Sequence, residues 1–561
     1  MNAAQKIELT ADLDPKRFAR LSEMYAYAFK TYGTLPAFSA LGHTLSYTEL
    51  EKLSDEFCHY LQQHDALKPG DRIAIQLPNI LQFPIAVIGA LKAGMILVNT
   101  NPLYTAREMK HQFRDAGVRA IVILSNFADK LESILAETDI ETIITTDIGD
   151  ALPPLKRFIV NAAARYLKKM VPDYSLPNAV RWHHIVTGKQ HLGPLAVTDS
   201  GSDVAIILYT GGTTGIAKGA MLTHSNLLAN MMQLRAVSKS VIHDGQDSII
   251  GPLPLYHTYA FMMHCLTMVY AGNHSILVPN PRDINSVINE MKATRPNGFL
   301  GINTLYLALC RHPRIHEVDF SHLRFCGAGG MALTVNVARE WTQLTGCEVF
   351  EGYGLTECSP VVSVNLPGHV RLGTVGFAVP GTEVQVVDDS GKVLGTGEKG
   401  ELWVRGPQVM KGYWHNEQAS ADAITEDGWF KTGDFAQLDA EGYIRIVDRK
   451  KELIIVSGFN VFPSEVEEVV NAHPDVFESA AIGLPSEKTG EKVKLFVVPR
   501  NAHLTLDALK HYCRENLTAY KVPKEISFVN ELPKSNVGKI LRRELREQEL
   551  AHLKARSDLE I

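Results

Sequence analysis

No apolar run in this 561-residue chain reaches the roughly 18 residues that would suggest a transmembrane helix. Cysteine is scarce: the seven present are odd in number and scattered without metal-ligand spacing, which fits reduced thiols in a cytoplasm rather than a disulfide framework. Positive charge is not in excess, and a net charge of −6 gives no reason to expect a nucleic-acid partner. The start, MNAAQKIELTADLDP, carries early acidic residues and no apolar core, so it does not read as a secretory signal. Internal repeats and low-complexity tracts are also missing. What is present is a 45% hydrophobic composition, ordinary for a globular protein, and enough length for several packed units.

Strand-like runs such as RIAIQL, MILVNT, AIVIL and TIITT alternate with helical patterns, which predicts an α/β architecture. Gly373 to Val447 is turn-rich and strand-like, with EVQVVDDSGKVL and GELWVRG inside it.

The stretch Tyr209 to Lys218, YTGGTTGIAK, follows a short apolar run from Ile206 that reads as a strand. Its threonines and glycines expose hydroxyls and backbone N–H groups that can cradle phosphate oxygens. It is not a Walker P-loop, since Ala217 stands where that motif needs Gly, and Gly219 follows Lys218 where it needs Ser or Thr. Alone, the loop also reads as a Gly-rich connection from strand to helix.

Three other segments carry chemistry. EGYGLTE, Glu351 to Glu357, combines glycines that let backbone approach a flat purine, Tyr353 to stack on it, and Glu357 as a hard oxygen ligand for Mg²⁺. In GWFKTGD, Asp434 after a Gly is expected in a turn where its carboxylate accepts two hydrogen bonds from ribose hydroxyls; an Asx-turn is the other reading. Fifteen residues from Asp434, DRKK from Asp448 to Lys451 offers Arg449 as a second clamp, or a solvated basic run. Lys539, in PKSNVGK ahead of an Arg/Glu-rich helix, is either a surface lysine or a compact cation on a long stem that reaches two anions.

In this order and over nearly the whole chain, these segments resemble the AMP-forming adenylating superfamily of acyl-CoA synthetases, luciferases and peptide-synthetase adenylation domains. DGWFKTGDFAQLDAEGYIRIVDRKKEL, Asp427 to Leu453, looks like the signature of fatty acyl-CoA synthetases. NPLYTAREM, LPLYHTYAF, EGYGLTECSPVVSVN, VDRKKELIIVSGFNVFPSEVE and LPKSNVGKILRREL look most like the bacterial long-chain enzymes of β-oxidation.

The resemblance implies a large N-terminal domain over 1–448, made of two α/β layers and a distorted β-barrel, and a small mobile α+β domain over 449–561. The hinge would fall at 448–451, with Lys451 as its pivot. It implies ATP and CoA as co-substrates with Mg²⁺, and a fatty acid turned first into acyl-AMP plus pyrophosphate and then into acyl-CoA plus AMP. An acyl-AMP ligase for a carrier protein, an aromatic acid–CoA ligase and a non-catalytic lipid-binding protein are the alternatives.

Residue by residue, the resemblance implies that Lys539, Thr210 and Glu357 are catalytic, with Thr210 and Glu357 holding the metal. Thr210, Gly211, Gly212, Thr213, Thr214, Gly215 and Lys218 would meet the phosphates, and Thr356 the α-phosphate. Gly327, Glu351, Gly352 and Tyr353 would form the adenine pocket, and Asp434 and Arg449 the ribose site. Ser457, Gly458 and Phe459 would line the CoA channel. For the acyl chain it points to His257, Phe261, Asn303 and Gly330, with the run Leu253 to Val269 as a tunnel wall or as plain core, and Gly298 to Leu305 as a second wall. Two positions depart from the wider superfamily: Ile455, where many relatives carry a basic residue, and Gly329 with Gly330, where many carry Ala and Pro.

One further segment stands out. From Pro154 to Val171, PLKRFIVNAAARYLKKMV places Leu155, Phe158, Ala162, Tyr166 and Met170 at helical spacing, with Lys156, Arg157, Arg165, Lys168 and Lys169 and no acid. Such a helix either rests on an anionic membrane or packs its stripe on the large domain. The expected setting is cytoplasmic, with peripheral contact at the inner face of the cytoplasmic membrane; a homodimer is left open.

Overall fold

The structure is a computed structural model that describes residues 10, 13–189, 204–210, 217–486, 488–501, 503–535 and 538–557. Two large sheets build the N-terminal domain. The first has eight strands, in the order Gly412–Tyr413, Lys218–Thr223, Val204–Thr210, Ile96–Asn99, Arg72–Gln76, Val118–Leu124, Thr142–Thr146, Val180–Arg181. From Val204–Thr210 to Val180–Arg181 every pairing is parallel. The second has nine strands and a parallel centre that includes Ser248–Gly251, Gly298–Gly301, Phe325–Ala328 and Val349–Gly354.

Parallel strands need crossovers, and the sequence starts their helices cleanly. Ser46 with Glu49 opens the helix Tyr47–Gln63, and Thr105 with Glu108 opens Ala106–Ala116, each as a reciprocal capping box. Helix Gln82–Lys92, QFPIAVIGALK, is buried on every side, as its nearly unbroken apolar sequence requires.

The turn-rich, strand-like stretch that begins at Gly373 gives four antiparallel strands: Glu383–Val387, Gly400–Arg405, Phe430–Leu438 and Ile444–Arg449. The largest apolar core, which reaches Ile444, joins this sheet to the two larger ones.

A separate five-stranded sheet, built around the long hairpin Val476–Ser486 and Gly490–Pro499, forms the small C-terminal domain with its own cores between Ile454 and Leu545. Contacts between the two domains include the charged pairs Lys399 with Glu465 and Arg445 with Glu468 at 3.3 Å, and a cation–ring contact of the Arg311 guanidinium 5.4 Å from the Phe477 ring centroid. Among the described residues, no helix is long and apolar enough to cross a membrane.

Candidate active site

Strand Val204–Thr210 runs antiparallel to Lys218–Thr223, with Thr210 opposite Lys218. The glycine/threonine loop is therefore the connection of a hairpin, and the strand-to-helix alternative does not hold. Gly211, Gly212, Thr213, Thr214 and Gly215 lie outside the described residues. The hairpin is fixed from behind by helix Ala106–Ala116: the Tyr209 hydroxyl donates to Asp115, and His111 Nε2 donates to the Ala217 carbonyl at 3.1 Å.

Beside the hairpin, the end of strand Val349–Gly354 turns through Thr356–Cys358 and delivers Glu357. Its carboxylate accepts from Tyr413 Oη at 2.9 Å and from Thr210 Oγ1 at 3.4 Å. Burial raises its pKa. Those hydroxyls are its partners, with no cation within salt-bridge distance among the described residues. Tyr413 also carries Lys218, whose Nζ lies 5.1 Å from the ring centroid. Thr258 Oγ1 donates to Thr356 Oγ1 at 3.1 Å, which ties LPLYHTYAF to EGYGLTE.

Asp434 does not sit in the expected turn. It lies within strand Phe430–Leu438, directly after Gly433 at φ 72°, and faces Arg449 across the antiparallel pair with Ile444–Arg449. The fifteen-residue spacing is thus one hairpin. Tyr353 Oη donates to Asp434 Oδ2 at 2.6 Å, and Arg449 Nε stands 3.4 Å from Oδ1. Burial raises the Asp434 pKa, against the pull of Arg449 and Tyr353.

Lys539 comes from the small domain. A tight turn holds it: Ser535 N donates to the Lys539 carbonyl at 2.7 Å, and Lys539 N to Ser535 Oγ at 3.1 Å. Gly538, at φ 79°, presses against the large domain so closely that a Cβ there would lie 2.6 Å from Ile302 and 2.7 Å from Thr304. The Lys539 ammonium is pushed down to about 8, first by burial and then by Arg449. His257 is pushed down to about 4, by burial and then by Lys539, so it is neutral. Its Nδ1 accepts from Tyr259 N at 3.4 Å, which leaves Nε2 as the protonated nitrogen.

Arg542, three residues on, clamps this turn to the segment that joins the domains. Its guanidinium donates to both oxygens of Glu467, at 2.9 and 2.6 Å, and to Glu452.

The hairpin, Glu357, the Asp434–Arg449 pair and Lys539 border one cavity of about 1080 Å³. Thr210, Lys218, His257, Gly327, Gly330, Gly352, Tyr353, Thr356, Glu357, Asp434, Arg449, Lys451 and Lys539 line it. Its apolar part is formed by Leu234, Val237, Val241, Leu253, Met263 and Ile302. Glu351 stands behind the wall instead; it accepts from Leu333 N at 2.8 Å, and burial raises it to about 7.

Phe261 and Asn303 are also outside the lining. Phe261 is fully buried in the core, and Asn303 accepts from Thr334 N at 3.0 Å. Ser457 and Gly458, at φ 52° and 83°, turn tightly between strands Ile454–Val456 and Phe459–Val461, away from the cavity; the Phe459 ring stacks on Tyr520 at 4.8 Å. Reading the sequence missed Leu234, Val237 and Val241, which come from a helix buried on nearly every side and its end, so no apolar stripe marks them. It also missed Tyr413, whose one signal was its place in the aromatic KGYW.

The arrangement can hold an anion chain between a carboxylate–hydroxyl pair and two cations, with an apolar tail beyond. The chain matches the AMP-binding enzyme model over residues 26–414 and the model of the AMP-binding enzyme C-terminal domain over residues 465–539. It belongs to the AMP-binding enzyme family.

Among members of this family, the chain is 47% identical over 546 residues to a long-chain-fatty-acid–CoA ligase of Salmonella typhimurium, which covers 96% of each chain. It is 36% identical to a protein of the same name in Bacillus subtilis, over 91% of each. Its fold is that of ATP-bound MatB from Rhodopseudomonas palustris, with TM-score 0.79 and 30% identity over 94% of this chain and 98% of that one.

Proposed function

We propose that this AMP-binding enzyme is a long-chain fatty acid–CoA ligase. The fatty acid carboxylate attacks the α-phosphorus of ATP and expels pyrophosphate; the CoA thiol then attacks the acyl carbon, AMP leaves, and the thiol proton passes to solvent. The observation that carries the reading is the position of Lys539: a buried cation at the junction of one cavity that has Glu357, Asp434 and Arg449 on one side and an apolar chamber on the other.

When the carboxylate meets the α-phosphate, two anions approach and a more highly charged centre develops. Lys539 offsets that repulsion where it is greatest, in the transition state. Asp434 and Arg449 hold the ribose, with Tyr353 fixing the Asp434 carboxylate, while Gly327 and Gly352 give the adenine its flat wall. Thr356 and Lys218 take phosphate oxygens. His257, neutral, borders the acyl carboxylate without adding a second cation.

Mg²⁺ fits the residues present. Glu357 is a buried carboxylate aimed into the cavity with hydroxyls as partners, and Thr210 stands beside it; this small donor set suits an ion that keeps water and phosphate as its other ligands. When bound, the ion would neutralise the triphosphate.

The second half-reaction requires the small domain to turn about 448–451, withdrawing Lys539 and bringing Ser457, Gly458 and Phe459 to the thiol channel. The proposed division at 448/449 is supported by the separate cores on either side, which stop at Ile444 and resume at Ile454. The cytoplasm and the supply of β-oxidation are the proposed setting.

The test is AMP release by the purified protein with ATP, Mg²⁺ and CoA across short- to long-chain fatty acids and an aromatic acid. CoA-dependent release that favours long chains is expected. Release that ignores CoA, or favours the aromatic acid, overturns the assignment.

A further inference from the structure

The four most exposed large hydrophobic side chains among the described residues all belong to one short segment: Leu167 at 80%, Tyr166 at 77%, Leu155 at 74% and Phe158 at 72% exposed. Ile159 and Met170 are exposed beside them. The segment is an α-helix over Pro154–Ala162 that continues as a wider π-turn over Ala163–Leu167.

Its inward side is firmly seated on the large domain. Asn161 accepts from Gly149 N at 2.8 Å and donates to Asp150 at 2.9 Å, Lys156 Nζ donates to the Gly42 carbonyl at 2.9 Å, and Ala164 is buried. The apolar stripe therefore does not pack on the large domain. A fixed surface helix normally turns such a stripe inward; this one is anchored through Lys156, Val160, Asn161 and Ala164 and turns Leu155, Phe158, Tyr166 and Leu167 out.

Charge selects the occupant. Residues 151–172 contain no Asp or Glu. Of the five basic residues, Arg165 lies 3.6 Å from Asp147 and Lys156 is held by Gly42, whereas Arg157, Lys168 and Lys169 have no carboxylate partner among the described residues. An apolar ridge flanked by free cations matches the boundary between the acyl chains and anionic headgroups of a bilayer, in which such a helix lies flat. Another protein's apolar patch would use the ridge but leave the cations unpaired.

We infer that Leu155–Met170 is a docking surface for an anionic lipid bilayer. The ridge enters the headgroup region, Arg157, Lys168 and Lys169 meet lipid phosphates, and the protein rests on the membrane without crossing it. The inference stands apart from the ligase reading, because its deciding readout, vesicle binding, needs neither ATP, CoA nor fatty acid.

The experiment is co-sedimentation of the full chain with vesicles of phosphatidylcholine containing one quarter phosphatidylglycerol, against vesicles of phosphatidylcholine alone. Two multiple variants are compared: Arg157→Gln/Lys168→Gln/Lys169→Gln, and Phe158→Ser/Leu167→Ser. The parent is expected to prefer the anionic vesicles and to lose binding as salt rises. Each variant should bind at least about tenfold more weakly while its melting temperature and its AMP release on a soluble medium-chain acid stay unchanged. Tryptophan emission of Tyr166→Trp should shift to the blue with anionic vesicles only. Equal vesicle binding by parent and variants overturns the inference. So does an absence of vesicle binding accompanied by a dimer that the Phe158→Ser/Leu167→Ser variant dissolves, which would assign the ridge to a second copy of the chain.

Discussion

Lys539 combines two properties that compete: it is buried enough to act at close range, and burial pulls its pKa from the ordinary lysine value to about 8. The charged form is present below that value and is lost as pH rises through it. Because kcat/KM reports groups of the free enzyme, acyl-AMP formation is expected to show a falling basic limb near pH 8. A profile flat to pH 10 would mean that the ammonium charge is not needed. At the proposed ribose site, Tyr353→Phe removes the 2.6 Å hydrogen bond to Asp434. A lost hydrogen bond to a charged group predicts a KM for ATP raised about tenfold with little change in fold stability; an unchanged KM would separate Asp434 from nucleotide binding. Local sequence left Asp434 and Lys539 each with a bland alternative and the resemblance singled them out with Glu357; the structure brings all three to one cavity. Phe261 was less legible: the π-turn Phe261–Thr267 shifts the helical phase, so Met263 reaches the cavity and Phe261 turns into the core.

At the scale of elements, two connections decide the site. Thr210 and Lys218 are opposed across one antiparallel strand pair and Asp434 and Arg449 across another, so both groups are set by strand register rather than by turns. Register is a long-range property of pairing, which is why reading the sequence expected a turn at Asp434 where the structure has a cross-strand pair. The turn before Lys539 depends on Gly538, both for its positive φ and for its approach to Ile302 and Thr304. Gly538→Ala should slow acyl-AMP formation at least about tenfold, since positioning is steeply distance-dependent, while transfer from supplied acyl-AMP to CoA persists; stopped-flow of the two steps separates them. Arg542 is a structural clamp on the same turn. Arg542→Gln leaves the Glu467 carboxylate, 8% exposed, without its bidentate partner. A broken ion pair of that kind costs about 3–5 kcal/mol, so the small domain should melt first in calorimetry; a melt identical to the parent would show that Glu467 finds another partner or takes up a proton.

The large and small domains have separate cores, with the proposed junction at 448–451, and touch through charged pairs such as Arg445 with Glu468. Interfaces of this polar kind resist reorientation less than a shared apolar core does. In the arrangement observed, Lys539 is inside the cavity and Ser457–Phe459 outside it, the layout suited to the first half-reaction. The α/β layering was legible from the strand runs, and the small domain from the resemblance. The base of the apolar chamber was not, since Leu234 and Val237 look like any buried helix and reach the cavity only through tertiary packing. That one cavity serves two steps with different partners is the central claim, and its most direct test is Lys539→Ala assayed in each half-reaction separately. The account predicts that acyl-AMP formation falls about 10²–10³-fold while CoA transfer from supplied acyl-AMP stays within a few-fold of the parent; an equal loss in both steps would contradict it.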